Sequence, residues 1–367
     1  MNKIMIMEML MMLILAVLIA ISTKWREKPD KTPNILSREN TLGLRGFACV
    51  AVIIHHTSMQ YAYNEFAFAG IIFVAMFFFL SGYGTYAAYA ANPEKYTAGY
   101  FRTRILYMLG TYMFIDIAFW VVSHTLTKNA PLMWGIWDAV KSGDMTTAFR
   151  LIDVYRPHEW FANAILFVYV ITYIGMRLAR GNKNVVIAAS ILATVVWISI
   201  WIPQETGRDM SFRYNTVHMF PIGMLFAMHQ EKIFDFYNRH SKAITISTLM
   251  IAIVTKAITS ILSQQAYIIA ITIMLSKQVY VVATTALILI ILTRITFVRN
   301  PCRYIGVISL EAYLVQSVFT RGYPEIGSPI GKLPMNGIWC IFCTLAAGAI
   351  WHAILKPFRT KICGRKS

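Results

Sequence analysis

The sequence predicts an all-α polytopic membrane protein, and its composition, its apolar segments and its charge distribution all support this fold class. Of its 367 residues, 57% are hydrophobic and only 14% are charged, and the mean hydropathy is +0.55. A soluble protein of this length needs a larger polar fraction to cover its surface. Apolar runs recur along the chain, with basic residues concentrated in the short segments between them.

Successive apolar runs predict about eleven helices in one domain, because a helix needs about 20 apolar residues to cross a bilayer. The runs lie near 4–22, 43–61, 70–91, 103–123, 159–178, 185–202, 213–229, 243–262, 278–296, 304–320 and 335–355. The segment 262–278 fits this pattern least well, and we expect a re-entrant or interfacial segment there.

The basic residues predict how these helices are oriented. The first run, 4–22, is followed by a strongly basic segment at 24–38, whereas a cleaved signal peptide carries its positive charge before the apolar run. We therefore predict an uncleaved first helix with its N-terminus outside, and a cytoplasmic C-terminus. Basic residues then fall at every inside loop, near 95–104, 177–183, 232–242, 294–303 and 356–366.

The net charge of +17 would also suit a nucleic-acid partner. Because the positive residues lie in loops beside apolar runs, we expect a lipid bilayer and no nucleic acid as partner. Cys340 and Cys343 have the spacing of a redox or zinc motif, but they lie inside an apolar run without a second pair of ligands. We interpret them as small apolar helix residues and expect no metal.

The second run contains an arginine and a histidine, and ionisable groups inside a spanning helix are costly and mark function. Arg45 and His56 are eleven residues apart, which places them within roughly 20° of the same helix face and about 16 Å apart along the axis. His55 falls about 80° away from that face. We therefore expect Arg45 and His56 to line one cavity, with the arginine near a membrane surface and the imidazole near mid-bilayer.

An imidazole at the position of His56 can take a proton from a hydroxyl, or it can attack an acyl carbonyl itself. The alternative is that His56 packs between helices with its nitrogens satisfied, or that it only helps to pair Arg45. Arg45, Arg102 and Arg104 belong to the cytoplasmic ends of their helices. Guanidinium groups suit phosphate oxygens, so coenzyme A is a natural ligand there, although basic residues are common at such ends in any case.

Other polar residues in or beside the apolar runs are weaker candidates. Ser81 and Tyr83 lie in the aromatic run 77–84, where Gly82 and Gly84 permit close helix approach. No nucleophile motif surrounds Ser81, so we count Ser81 and Tyr83 only as possible donor-binding residues.

Four further residues are candidates for binding the acceptor: His158, Trp160, Glu311 and Tyr313. Trp160 offers a ring face for a sugar but is equally typical of a membrane-interface aromatic. Glu311 is an intramembrane carboxylate, and a basic residue of the core, such as Arg213, is an alternative partner for it.

Several short motifs, in order, resemble the acyltransferase type 3 family of integral-membrane proteins that modify bacterial cell-surface glycans. They are Leu44-Arg45-Gly46 followed by His56, then Phe77–Tyr83, Tyr100–Leu106, His158–Ala164 and Ile305–Leu314. Each motif is weak alone, but together they are specific and cover about 43–320.

The resemblance implies a roughly ten-helix core that takes an acyl group, usually acetyl, from cytoplasmic acyl-CoA and transfers it to a hydroxyl of an extracytoplasmic or lipid-linked glycan. It also implies that Arg45 and His56 are essential, and that the protein lies in a bacterial inner or plasma membrane. We accordingly divide the chain into an N-terminal helix and linker (1–38), the acyltransferase domain (39–357) and a basic tail (358–367).

Three features depart from the family pattern. Tyr107 stands where the second arginine of the family's Arg-x-x-Arg motif would fall, Gln316 stands where a histidine is frequent, and the helix at 4–22 precedes the usual start. The competing hypothesis is a transporter or flippase for a glycan or lipid precursor, with Arg45, His56 and Glu311 as substrate or proton sites.

Overall fold

The fold was analysed in a computed structural model that describes residues 3–59, 67–127, 138–144, 160–202, 211–262, 270–320 and 336–363. Nearly all of these residues are helical, which confirms the predicted all-α polytopic membrane fold. Within the described ranges, six helices are long and apolar enough to cross a membrane.

The described helices are numbered in chain order. They are α1 (Lys3–Ser22), α2 (Arg38–Ser58), α3 (Ala67–Ala91), α4 (Pro93–Tyr100), α5 (Tyr107–Thr127), α6 (Trp160–Ala179), α7 (Lys183–Trp201), α8 (Met219–Leu262), α9 (Ala270–Leu292), α10 (Asn300–Thr320), α11 (Asn336–Ile354) and α12 (Lys356–Cys363). A π-helical turn, Phe101–Leu106, joins α4 to α5. Two strands, β1 (Thr23–Trp25) and β2 (Ile295–Phe297), and two 3-10 turns, Pro33–Leu36 and Ser211–Arg213, complete the described elements.

Helix α2 begins five residues before the predicted apolar run because polar residues cap it. The Ser37 side chain accepts a hydrogen bond from the Asn40 backbone N–H, and Glu39 lies in the first turn. A hydroxyl at the N-cap and a carboxylate beside it both stabilise a helix start. The polar first turn therefore extends the helix, and the apolar residues after it are buried among the other helices.

Helix α8 covers the two predicted spans at 213–229 and 243–262. Its backbone departs from helical geometry at His229 and His240, so separate helical segments meet there across kinks. The two predicted spans therefore stay separated, and the difference from the prediction lies in the stretch between them, which is helical. The stretch 230–242 contains no glycine or proline, so the basic segment predicted to be a loop is able to form helix.

Helix α9 begins earlier than the predicted run at 278–296 and ends at Leu292. Of the segment predicted to be re-entrant or interfacial, residues 270–278 belong to this helix, and 263–269 lie outside the described residues. The Ser276 hydroxyl lies 2.5 Å from that of Thr259 and so links α9 to α8.

The basic linker after α1 is attached to the helical core. Strand β1 pairs with β2 in antiparallel register, with Thr23 opposite Phe297. The Asn40 side-chain oxygen accepts a hydrogen bond from the Phe297 backbone N–H at 2.9 Å. In α1, Met11 and Leu15 are buried against apolar residues of α2, α10 and α11, so α1 packs as part of the helical body.

Helices α2 and α10 approach so closely that glycine is required where they meet. A Cβ atom added to Gly46 would lie 1.8 Å from the Cys302 carbonyl oxygen, and one added to Gly306 would lie 2.0 Å from the Leu42 carbonyl oxygen. The predicted close approach at Gly82 is also present, because a Cβ atom added there would lie 1.9 Å from the Phe220 carbonyl oxygen. Gly84, by contrast, faces open space.

This contact predicts that Gly46→Ala will destabilise the protein by about 1–3 kcal/mol, because the new methyl group collides with backbone that has no room to move. The measurement is the thermal unfolding midpoint in detergent. Gly84→Ala is the matched control, since nothing lies within 4 Å of its added Cβ, and it should leave the midpoint unchanged or raise it. Equal midpoints for the two variants would contradict the close packing of α2 on α10.

Candidate active site

Helices α2, α3, α5, α6 and α10, together with the π-helical turn, enclose a cavity of about 290 Å³, which we call the narrow cavity. Its polar lining residues are Arg45, Ser81, Thr103, Arg104, Tyr107, Tyr169, Ser309 and Tyr313. The rest of the lining is largely apolar, with Phe77 and Phe161 on one wall and Leu310 on another. Two arginines therefore meet in a small cavity among apolar helices.

Arg45 is held in the narrow cavity by helix α10. Its Nη2 donates a hydrogen bond to the Ser309 hydroxyl at 3.3 Å, and that hydroxyl donates to the Gly306 carbonyl at 2.9 Å. Ser309 thus accepts from the guanidinium while its own proton is directed to the backbone. This arrangement fixes the position of Arg45 without neutralising its charge.

Arg104 comes from the π-helical turn and lies among three tyrosines, Tyr96, Tyr100 and Tyr169. Burial raises the pKa of the Tyr100 phenol well above its usual value, so this ring is neutral at physiological pH. Tyr100 also stacks on Tyr173, with ring planes 3° apart. The aromatic packing holds the turn that carries Arg104, and π-helical turns are frequent at functional sites.

The electrostatics of the narrow cavity favour an anionic ligand. Arg45 and Arg104 both line this cavity, so their like charges repel each other, and none of the described residues that line the cavity is acidic. A phosphate or another anion placed between them would relieve this repulsion and accept hydrogen bonds from both.

A second cavity of about 910 Å³, which we call the wide cavity, shares Thr103, Arg104 and Tyr107 with the narrow one. It lies between α4, the π-helical turn, α5 and the C-terminal helices α11 and α12. Its other basic residues are Lys95, His352, Lys356 and Arg359. The two cavities therefore adjoin at Arg104.

Glu311 lies beside both cavities in a cluster of polar side chains. It is fully buried, and its Oε1 lies 3.5 Å from Arg359 Nη1 and 3.3 Å from the Tyr107 hydroxyl, which donates to it. The Nδ1 atom of His352 lies 2.6 Å from Arg359 Nη1 and 3.1 Å from Glu311 Oε1. It accepts from the guanidinium in one ring tautomer and donates to the carboxylate in the other. The buried carboxylate is thus neutralised by Arg359.

These contacts differ from the expected partner of Glu311. Arg213, the candidate suggested by the sequence, instead lies over the Trp201 ring at 4.4 Å. Arg359 belongs to the segment predicted to be a cytoplasmic tail, where Lys356–Cys363 forms α12. The tail therefore returns to the helical core, where the half-buried Arg359 side chain supplies the positive charge.

Of the residues predicted to bind the donor, Arg45, Arg104 and Ser81 line the narrow cavity. Arg102 is exposed and donates to the Lys361 carbonyl at 3.5 Å. Tyr83 donates to Gln230 Oε1 at 2.9 Å and so joins α3 to α8. The structure thus places Arg104, rather than Arg102, beside Arg45.

The predicted acceptor residues are spread over the fold. Tyr313 lines the narrow cavity, with its ring 5.3 Å from that of Phe161. Trp160 is buried at the start of α6, packs on Phe212 at 5.9 Å, and is not among the residues that line this cavity. His158 lies outside the described residues.

His56 is buried in the last turn of α2, with its ring 5.0 Å from that of His55. It is not among the described residues that line the narrow cavity, whereas Arg45 is. Among the described residues the narrow cavity therefore contains Arg45 without His56, and a cavity shared by both residues stays a prediction. His56 lies further along the same helix, near residues 60–66, which are outside the described residues.

Sequence reasoning missed Tyr107, Ser309, His352 and Arg359 as parts of the site. Ser309 and Tyr313 are four residues apart and so lie on one face of α10, a spacing that would have identified them as a pair. Tyr107 was noticed only as a departure from an arginine motif, yet it lies between the two cavities and contacts Glu311.

The sequence also matches a known protein family. A family model described as an acyltransferase domain matches residues 43–355, nearly the whole chain. Neither the curated proteins nor the solved structures compared with the chain give a match. The match begins within α2 and ends at the last turn of α11, so it contains both arginines of the narrow cavity together with His56 and Glu311. The chain belongs to the acyltransferase type 3 family, and it is a membrane acyltransferase.

Proposed function

We propose that this protein is an O-acetyltransferase that moves an acetyl group from cytoplasmic acetyl-CoA to a hydroxyl of an extracytoplasmic or lipid-linked glycan. The observation that carries the proposal is the pairing of Arg45 and Arg104 in one cavity whose described lining residues include no acid. Such a site suits a phosphate-bearing donor.

In the proposed reaction, His56 performs the chemical step, and it lies further along α2 than the donor-binding Arg45. As a general base, its imidazole takes the proton of the acceptor hydroxyl while the oxygen attacks the thioester carbonyl. The new C–O bond forms, the C–S bond breaks, and the leaving thiolate takes up a proton to give free coenzyme A. As an acyl carrier, the imidazole attacks first, releases coenzyme A and then gives the acyl group to the hydroxyl.

Arg45, which binds the donor in this scheme, and His56, which performs the chemical step, belong to the same helix. The helical rise separates the two residues by about 16 Å, so a donor anchored at Arg45 needs a long arm to bring its acyl group to the imidazole. Coenzyme A carries its thioester on such an arm. Tyr313 in the narrow cavity and Trp160 at the start of α6 offer rings for a sugar, with His158 nearby in sequence.

Glu311 is better suited to a supporting role in this scheme than to contact with the acceptor. It is fully buried and paired with Arg359, and it accepts a hydrogen bond from Tyr107, which lines both cavities. We propose that it positions Tyr107 and the C-terminal helix α12 beside the donor.

The test is the use of acetyl-CoA by the purified protein in lipid nanodiscs, followed by release of the free thiol. Arg45→Ala should weaken acetyl-CoA binding by about tenfold or more, because a charge-assisted contact with phosphate is lost. Arg177→Ala is the matched control, since Arg177 is an exposed arginine at the end of α6 outside both cavities.

Two outcomes would contradict the proposal. Wild-type protein that neither binds acetyl-CoA nor releases thiol would exclude this donor, and transport of a glycan precursor without thiol release would favour the transporter hypothesis. The acceptor is identified by NMR of cell-envelope glycans from cells with and without the gene. Acetyl signals present in both would exclude a glycan acceptor.

A further inference from the structure

We infer that the wide cavity binds the nucleotide end of the donor, with Lys95 and Lys356 as the side chains that hold its phosphates. This inference rests on acetyl-CoA being the donor, as proposed above. It places the nucleotide end of that molecule, for which the narrow cavity has no room, in the wide cavity. The two cavities adjoin at Thr103, Arg104 and Tyr107. One elongated molecule can therefore occupy both.

The charge of the wide cavity supports an anionic ligand. Lys95 and Lys356 are exposed side chains on opposite walls, from α4 and α12. Arg359 also lines the cavity, but its charge is offset by Glu311. None of the described residues that line the cavity is acidic, so Lys95, Lys356 and Arg104 give it a net positive charge.

The sizes of the two cavities match the two ends of a coenzyme A ester. The wide cavity, at about 910 Å³, is in the usual range for a site that encloses a cofactor-sized ligand. A nucleoside bisphosphate is broad and anionic, whereas the arm that carries the thioester is thin and uncharged. The diphosphate that joins them would then lie at the junction, beside Arg104.

Aromatic residues in the wide cavity provide a surface for the base. Tyr96 and Tyr304 both line it, and Tyr304 is 55% exposed, so its ring face is open to a ligand. Stacking of a purine on an aromatic ring stabilises its binding. This cavity thus combines cations for phosphate with a ring for adenine.

The experiment compares two donors and a competitor in the Lys95→Ala/Lys356→Ala double variant. Its KM for acetyl-CoA should rise about tenfold or more, because two charge-assisted contacts are lost, while kcat stays unchanged. S-acetylpantetheine, which lacks the nucleotide, should be used equally well by the wild type and the variant. Binding of adenosine 3′,5′-bisphosphate, measured by calorimetry in nanodiscs, should weaken by the same factor as the KM rises.

The control is Lys183→Ala/Lys242→Ala, which removes two exposed lysines outside both cavities. An unchanged KM for acetyl-CoA in the cavity variant, or an equal loss with both donors, would overturn the inference. Wild-type turnover of acetyl-CoA without binding of adenosine 3′,5′-bisphosphate would overturn it as well and leave the proposed function intact. Nucleotide binding that depends on Lys95 and Lys356, without any acyl transfer, would refute only the proposed function.

Discussion

A His56→Ala variant is expected to lose acyl transfer by about a thousandfold, the contribution typical of a catalytic base. Its affinity for acetyl-CoA should remain that of the wild type, because His56 is not among the described residues that line either cavity. The measurements are the rate of acetylation of the acceptor and calorimetric binding of acetyl-CoA. Together with Arg45→Ala, which should weaken binding, this separates the chemical step from donor recognition.

His55→Ala is the matched control for His56→Ala. The two histidines are adjacent, but His55 packs its ring beside Gly70 on α3, where a Cβ atom would lie 2.3 Å from the ring. We expect His55→Ala to retain most of the transfer rate and to affect mainly stability. Wild-type acetylation by His56→Ala, or an equal loss in both variants, would contradict a specific role for His56.

The two possible roles of His56 differ before any acceptor is present. If His56 carries the acyl group, wild-type protein mixed with acetyl-CoA alone should release about one equivalent of thiol in a burst. If His56 is only a base, no burst should occur, since the thioester waits for the hydroxyl. The same burst in His56→Ala would exclude His56 as the carrier.

Arg359→Ala is expected to destabilise the protein by about 3–5 kcal/mol, because it leaves the Glu311 carboxylate buried without its positive partner. The Arg359 guanidinium contacts both Glu311 and the His352 ring nitrogen, and it also donates to the His352 carbonyl. The measurement is the thermal unfolding midpoint in detergent, where this loss should appear as a large decrease.

The double variant Arg359→Ala/Glu311→Gln tests whether the loss is due to the unpaired charge. Replacing the carboxylate by an amide of the same shape removes that charge, so most of the stability should return. Arg102→Ala is a useful comparison, since Arg102 is an exposed arginine beside the same C-terminal helix. If the stability losses of the two single variants simply add in the double variant, Arg359 and Glu311 act independently.

Helix positions were largely predictable from the sequence because apolarity along the chain is a local property. The predicted runs at 70–91, 159–178 and 185–202 correspond to α3, α6 and α7 within a few residues. Hydropathy does not report where a helix ends, however. The polar stretch 230–242 was therefore predicted to be a loop, although its residues are helical and the backbone leaves helical geometry only at His229 and His240.

The site was predictable only where the signal lay within one helix or one motif. Arg45 could be found because a charge inside an apolar run is costly. The partners of Glu311 lie 41 residues away at His352 and further still at Arg359, and no local pattern connects them. Which face of a helix meets a cavity also depends on its neighbours, so the count that placed Arg45 and His56 on one face did not show which of them lines the cavity.

The pairing of β1 with β2 bears on how much of the chain is needed for a stable protein. The family match begins at residue 43, yet β2 lies within it and takes its backbone partners from Thr23–Trp25. A chain shortened to the matched region would leave an unpaired strand edge, which invites association with other chains. It would also uncover the apolar face of α2 against which Met11 packs. The shortest part of the chain that is expected to fold stably is therefore longer than the region that matches the family.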